Sequence, residues 1–336
     1  MYNTYIELIN QLSKQKVMVI GDMVADVYLE GKISRISREA PVLILEHENQ
    51  TVVPGGAANA VHNTATLGGE VFAVGVVGND SAGYELIRVL ESKSAKTEGL
   101  IIDDGRPTIT KTRVMAGGQA TVRQQVVRVD RESKQDLEPA VEQKVLAYIE
   151  DKISSMSAVV ISDYGSKSVT SEIVSYVITR CQQLNKHCIV DSRYNVMGYR
   201  GVTIVKQNES EAAAALGCKT LDRAQLLTAG HTILERLEAE AVLITQGPDG
   251  MTLFERNGKY THIPVTNKSE VYDVTGAGDT VVATMALAIS TGVSYLEAAC
   301  LANYAAGVVV RKPGTATTNP AELKAAIGVY YENRQS

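Results

Sequence analysis

Short, continuous apolar runs rich in β-branched residues recur along the chain at 17–20, 71–77, 158–162, 187–190, 203–205 and 241–245. Helix-like stretches lie between most of them, at 57–67, 82–91, 141–153 and 171–184. Strands that are apolar throughout, alternating with helices, predict a parallel sheet covered on both faces, a doubly wound α/β domain. Two segments break the alternation. Residues 41–48 and 122–130 read as strands with mixed faces, and their neighbours at 51–53 and 108–115 are also β-prone. They are expected to form a small separate sheet, inserted at about 33–53 and 107–130, over the mouth of the site. A small sheet that buries one face within its own subunit needs something to cover the other. No repeat, low-complexity tract or linker interrupts the chain, so a single domain over residues 1–336 is expected.

The densest chemical signal is Asp273-Val274-Thr275-Gly276-Ala277-Gly278-Asp279-Thr280, followed by the apolar run 281–289. Small residues at a helix start leave backbone N–H groups bare, which is how a chain holds phosphate without a charged side chain. An aspartate beside such a nest repels phosphate unless it accepts a proton from an incoming hydroxyl. The combination predicts phosphoryl transfer, with Asp279 as base and the amides of Gly276, Ala277 and Gly278 as the anion hole. The plainer alternative is a tight turn in which Asp279 is only a first-turn helix residue. That turn needs one glycine and no preceding Asp-x-Thr.

Composition narrows the partners. A formal net charge of -5 argues against a nucleic-acid or anionic-membrane surface, so a local basic cluster reads as a substrate pocket. Cys181, Cys188, Cys218 and Cys300 have no C-x-x-C spacing and read as free thiols of a reducing compartment. The histidines are scattered and read as surface or core residues. Gly21-Asp22 interrupts the first apolar run before a signal-peptide core could form, and nothing approaches the ~20 apolar residues of a membrane span. The cytoplasm is the expected location.

Asp273 to Asp279, together with Gly55-Gly56-Ala57-Ala58-Asn59 and Leu67-Gly68-Gly69, resembles the two signatures of the ribokinase-like (PfkB) carbohydrate kinases, in the family's order and over nearly the whole chain. Segments 21–26, 34–42, 54–59 and 270–273 resemble most the family's kinases for D-glycero-D-manno-heptose 7-phosphate. The resemblance implies a ribokinase-like sheet with a small β-sheet lid that often clasps a second subunit, hence a homodimer. It implies ATP and Mg²⁺ as cofactors and phosphorylation of a sugar or sugar phosphate at the anomeric hydroxyl. The sequence extends little past the kinase-like region, so a single activity without a nucleotidyltransferase domain is expected.

For the nucleotide, the resemblance implies Thr245 and Gly247 beside the phosphates, Thr275 and Gly278 at the anion hole, and Asn303 with the small residues 305–307 near adenine. Asn208 and Glu211 match the family's Asn-x-x-Glu motif, which holds the water shell of Mg²⁺. They serve equally well as a helix cap with Glu at its third position. For the sugar, Asp26 follows the first strand and can accept hydroxyls. Gly55 and Gly56 let the backbone approach the ring, and Asn59 offers an amide. Cations for a substrate phosphate are sought among Arg35, Arg38, Lys111, Arg113, Arg128 and Arg193, the last close to Asp191.

One departure bears on the substrate. The heptose kinases carry Asp-Pro-Lys-Gly where this chain has Asp191-Ser192-Arg193-Tyr194, and Thr-Pro-Asn where it has Lys206-Gln207-Asn208. Another sugar or sugar phosphate therefore stays open, as does a catalytically dead sugar-sensing regulator on the same fold. Intact Asp279, Asn208 and Glu211 argue against the regulator.

Overall fold

The period-2 pleat explains why the core strands are apolar at every position: successive side chains enter opposite layers. In the computed structural model, Val17 and Val19 join one apolar cluster while Met18 and Ile20 join the other. Residues 2–117, 124–266 and 271–332 are described. Val122 and Arg123 of the expected lid strand, and Glu270, lie outside them.

In chain order the elements are α1 (Tyr2–Leu12), β1 (Lys16–Gly21), β2 (Met23–Ile36), β3 (Leu43–Gly56), α2 (Ala57–Thr66), β4 (Glu70–Gly78), α3 (Ser81–Glu91) and β5 (Lys96–Asp103). They continue with β6 (Ile109–Gly117), β7 (Gln124–Arg131), α4 (Pro139–Ile153), β8 (Ala158–Asp163), α5 (Ser171–Gln183), β9 (His187–Ser192), β10 (Ile204–Asn208) and α6 (Glu209–Ala215). The last are α7 (Arg223–Leu237), β11 (Ala241–Thr245), β12 (Met251–Glu255), β13 (Tyr260–Ile263), α8 (Ala277–Ile289), α9 (Tyr295–Val309) and α10 (Pro320–Glu332).

The main sheet has the order β13-β12-β11-β10-β9-β8-β1-β4-β5. It is mixed rather than wholly parallel, because β12 and β13 add as antiparallel strands at one edge. Those two strands and β5, at the other edge, were not expected from the pattern. Edge strands are half-covered, so Lys96-Thr97-Glu98 and Tyr260-Thr261-His262 lack the continuous apolar run that marks the interior. Strand order reverses between β1 and β8, which places a crevice at their carboxyl ends.

The small sheet has the order β3-β2-β6-β7. It begins ten residues before the expected start at about 33, because β2 leaves the core directly after Asp22 and runs from Met23. Asp26 is therefore a strand residue, not a loop residue after β1. The register sorts the lid into two faces. Val27, Leu29, Ile33, Leu45, Val114, Val127 and Val129 share one face; Asp26, Tyr28, Lys111, Arg113, Arg128 and Asp130 share the other. The apolar face is covered at its root, where Val27 and Val52 join the core, and open farther out, where Ile33 is 40% and Val129 56% exposed. No helix among the described residues is long and apolar enough to cross a membrane.

Helix–sheet packing is close enough to make a testable demand at Gly230 on α7. A Cβ there would lie 2.3 Å from the ring of the fully buried Phe254 on β12. Gly230→Ala should lower stability by about 1–3 kcal/mol despite alanine's better helix propensity. Unchanged or raised stability in denaturant unfolding would mean that this interface has slack.

Candidate active site

Helix α8 is buried from Asp279 through Ile289, so its first turn opens into the crevice rather than into bulk water. Gly276 caps it at φ 78°, a backbone conformation that favours glycine, and a Cβ there would also lie 2.6 Å from the Asn59 amide nitrogen. A Cβ on Gly278 would lie 2.7 Å from Lys206 Nζ. Gly276 is thus favoured by its backbone, and Gly278 leaves room for the Lys206 ammonium. The expected three-amide nest is smaller than the sequence suggested, because the Ala277 N–H donates to Val274 O at 3.2 Å. Among the described residues, the Gly276 and Gly278 amides carry no such commitment. Thr275 is exposed, and its N–H donates to Asp273 Oδ1 at 2.9 Å, while Asp273 Oδ2 accepts from Gly314 N–H at 2.9 Å.

Asp279 is buried at the head of this helix. Asn59 on α2 donates to its Oδ2 at 2.7 Å, and the Tyr164 hydroxyl donates to its Oδ1 at 2.8 Å. Burial pushes its carboxyl up to about 6, and Asp191 adds to the rise; Asn59, Tyr164 and Lys206 hold it from going further. Asn59 was expected to offer its amide to a sugar. It is instead fully buried, with its amide on Asp279 and its Oδ1 accepting from Asn63.

Lys206 is the residue that sequence reasoning passed over. It was noted only as a departure from a motif, yet its ammonium is buried and bonds both oxygens of Asp191, at 3.1 and 3.3 Å. Burial opposes its charge, but Asp191 and Glu211 outweigh that and hold its pKa above the ordinary lysine value. The signal was present in Ile204-Val205-Lys206-Gln207: a cation inside an otherwise buried strand must have a buried partner. Tyr164 was likewise unmarked, in the turn that follows β8.

Asn208 and Glu211 form a complete capping box, each side chain accepting from the other's backbone N–H at 2.8 Å. The cap therefore exists, and it uses only one Glu211 carboxylate oxygen. Burial raises the Glu211 pKa, and Lys206 counters it. No group of three or more His, Cys, Asp or Glu side chains among the described residues could cage a metal. One half-free carboxylate beside bare amides suits a metal that keeps its waters.

On the lid, Asp26 is buried and bonds Arg113 at 2.7 Å, and Gly55 is bare because a Cβ would lie 2.6 Å from Asp26 Oδ2. The glycine thus admits the aspartate side chain. Gly56 has φ 53° and opens into α2. Lys111 lies 5.7 Å over the Tyr164 ring, inside the crevice. Arg128 is chelated by Asp130 at 2.8 Å through two nitrogens, and Arg35, Arg38 and Arg193 are exposed. The cations expected to form one set are thus dispersed, with Lys111 over Tyr164, a partner of Asp279, and Arg113 on Asp26.

On the nucleotide side, the Thr245 hydroxyl donates to Gln207 O at 3.4 Å, and Gly247 opens a short turn at φ 56°. Asn303 is buried and donates to Pro264 O at 2.8 Å, so it holds the chain after β13 rather than presenting an open amide. A cavity of about 550 Å³ lies on the α7 side of this turn, lined by residues including Gln246, Asp249, Thr252 and His262. It touches none of the groups around Asp279.

Residues 14–322 match the pfkB family carbohydrate kinases. The "Bifunctional protein HldE" of Desulfatibacillum aliphaticivorans is 40% identical over 320 residues, covering 95% of this chain and 64% of that protein. That of Citrifermentans bemidjiense is 40% identical over 314 residues, covering 93% and 63%. The chain thus spans slightly less than two thirds of the length of these relatives. In fold it is similar to Arabidopsis thaliana ribokinase complexed with ribose and ATP, with TM-score 0.71, 19% identity and 93% and 98% of the two chains covered. It is also similar to Escherichia coli phosphofructokinase-2 in complex with substrates and products, with TM-score 0.74, 17% identity and 94% and 99% covered.

Removing Lys206 should strand Asp191 without its counter-charge. Lys206→Met is expected to cost about 3–5 kcal/mol, and adding Asp191→Asn should recover at least ~1 kcal/mol. Strictly additive costs in a double-mutant cycle of unfolding would show that the two side chains do not interact in solution.

Proposed function

The chain belongs to the pfkB family of carbohydrate kinases, and we propose that it transfers the γ-phosphoryl group of ATP to the anomeric hydroxyl of a heptose 7-phosphate. The observation that carries the reading is Asp279: a buried carboxylate, raised to about 6, at the mouth of a helix where the Gly276 and Gly278 amides are uncommitted. Such a group is ionised near neutral pH and still basic enough to take a proton. The sugar oxygen bonds to the γ-phosphorus as its proton passes to Asp279. The bond from that phosphorus to the bridging oxygen breaks, and ADP leaves. The Gly276 and Gly278 amides and the positive end of α8 stabilise the charge that spreads over the transferring group. ATP as donor is supported by the fold shared with a ribokinase complexed with ribose and ATP.

Mg²⁺, when bound, supplies neutralisation of the phosphate charge, and Asn208 with the uncapped oxygen of Glu211 would hold its waters. Three carboxylates, Asp191, Glu211 and Asp279, act on the single buried ammonium of Lys206, an imbalance that favours an added cation.

The heptose assignment is supported by the motif resemblance and by the extended similarity to the HldE proteins. Lys111 and Arg113 on the charged face of the lid are the cations best placed for the sugar or its phosphate. The departures at Asp191–Tyr194 and Lys206–Asn208 favour keeping one second reading, a kinase for another sugar phosphate. ADP release across a panel of sugars and sugar phosphates tests both. A heptose 7-phosphate should give the highest kcat/KM, and a better acceptor elsewhere in the panel would overturn the first reading.

Asp279→Asn should lower kcat by about 10²-fold or more while nucleotide binding persists. Turnover above about a tenth of wild type would remove Asp279 as base.

We also read the open apolar face of the lid as the seat of a second copy of this chain, in a two-fold dimer. Leu43, 43% exposed and paired with Ile36, extends that face. Leu43→Asp should yield monomers with a raised KM for the sugar, because the same strands carry Asp26 and Arg113 on their other side. Light scattering that finds the wild type monomeric at micromolar concentration would sink the dimer and leave the kinase reading intact.

A further inference from the structure

We propose that Tyr164 is a positioning residue for the base, its phenol holding one oxygen of Asp279 so that the carboxylate keeps an acceptor direction aimed at the incoming hydroxyl. This rests on the reading of Asp279 as general base.

Each Asp279 oxygen takes one donor, Tyr164 on Oδ1 and Asn59 on Oδ2. A carboxylate oxygen offers two acceptor directions, so one on each remains for substrate while the plane of the group is set from both ends. The position of Tyr164 is itself over-determined. Asp22, fully buried just after β1, accepts the backbone N–H groups of Tyr164 at 2.8 Å, Ser166 at 3.1 Å and Ser168 at 3.3 Å. Its own N–H donates to Ser162 O, and its carbonyl accepts from Ala57 N–H. One buried residue thus ties the end of β1 to the turn after β8 through its carboxylate and to the start of α2, the helix that carries Asn59, through its backbone carbonyl. Burial raises the Asp22 pKa, and the amides of Ser166 and Tyr164 counter it. The two donors to Asp279 are therefore set by a common anchor at the point where strand order reverses.

The charged and titratable groups that face the pair come from several elements: Asp191 on β9, Lys206 on β10, Glu211 on α6 and Lys111 on β6. Asp191 raises the Asp279 pKa and Lys206 lowers it; neither occupies the oxygen that Tyr164 holds. A hydrogen bond to the ionised form lowers a carboxyl pKa, so loss of the phenol must move Asp279 upward.

Tyr164→Phe deletes the hydroxyl and keeps the ring under Lys111. The wild-type kcat should rise with pH through about 6, as Asp279 ionises. In the variant that acidic limb should move up by about one pH unit, leaving kcat about fivefold lower at pH ~6 and nearly recovered at pH ~8, with the KM for ATP changed less than about twofold. A loss that is uniform across pH, or an unmoved limb, would overturn the proposal. A second readout is independent of turnover and of that variant's folding. With tyrosines labelled by ¹³C at Cζ, the Tyr164 resonance should titrate near pH 6, and that titration should vanish in Asp279→Asn; a flat wild-type resonance would overturn the contact. A wild type that titrates in this way yet transfers phosphate to no acceptor would overturn the kinase reading, and with it the catalytic meaning of the contact.

Discussion

Burying a carboxylate without hydrogen-bond donors costs several kcal/mol or drives it neutral, and the site is organised around meeting that cost at Asp279. Its two direct donors come from α2 and from the turn after β8, and a third influence, Lys206, comes from β10. None of these segments is near residue 279 in sequence. They converge because α8 runs buried through one helical layer and ends its N-terminus at the crevice between β1 and β8. The same burial that makes the aspartate expensive raises its pKa into the range where a base can work at neutral pH. Stability and chemistry are thus set by one desolvation.

The lid shows a second coupling, between register and function. Period-2 alternation would place charged and apolar residues on strict opposite faces only while the strands stay in phase. The register shift between Glu30 and Gly31 skips Glu48 of β3, and that between Ile33 and Arg35 skips Ser34 of β2, so that Ile33 meets Leu45 and Ile36 meets Leu43. The apolar face remains continuous from the core outward, and Asp26, Lys111 and Arg113 remain together on the face that meets the crevice. A lid with one wet, charged side and one open, apolar side can serve substrate and partner at once.

Lys206 and Asp191 illustrate how a site tolerates a changed motif. Arg193 stands where the motif has its lysine, and a second cation comes from the neighbouring strand, where the parallel register sets Lys206 beside Asp191. Lys206 is then also the side chain that a Cβ at residue 278 would meet.

Much of the architecture was legible in the sequence. The six interior strands announced themselves as continuous apolar runs, because a strand buried on both faces leaves no position for water, and α2, α3, α4 and α5 were expected between them, whereas α7 was not. The turn and helix start around Asp279 were legible too, in the small residues Gly276-Ala277-Gly278 before a long apolar run. What remained hidden depended on pairing at long range. The edge strands β5 and β13 bury too little to carry a distinctive pattern, and β12, though buried, is a short run broken by Thr252. Asn59 read as a sugar ligand because nothing local says that residue 279 will stand 2.7 Å away. Asn208 and Glu211 satisfied two readings equally, and only folding showed the cap closed on one carboxylate oxygen and the other left over. Local sequence determined which segments could be strand, helix or phosphate-binding turn, because those choices rest on burial and backbone freedom within a few residues. Which side chains face one another across the crevice was decided by tertiary structure alone, since hydrogen bonds and ion pairs form between whatever the packed sheet brings within 3 Å, at any separation along the chain.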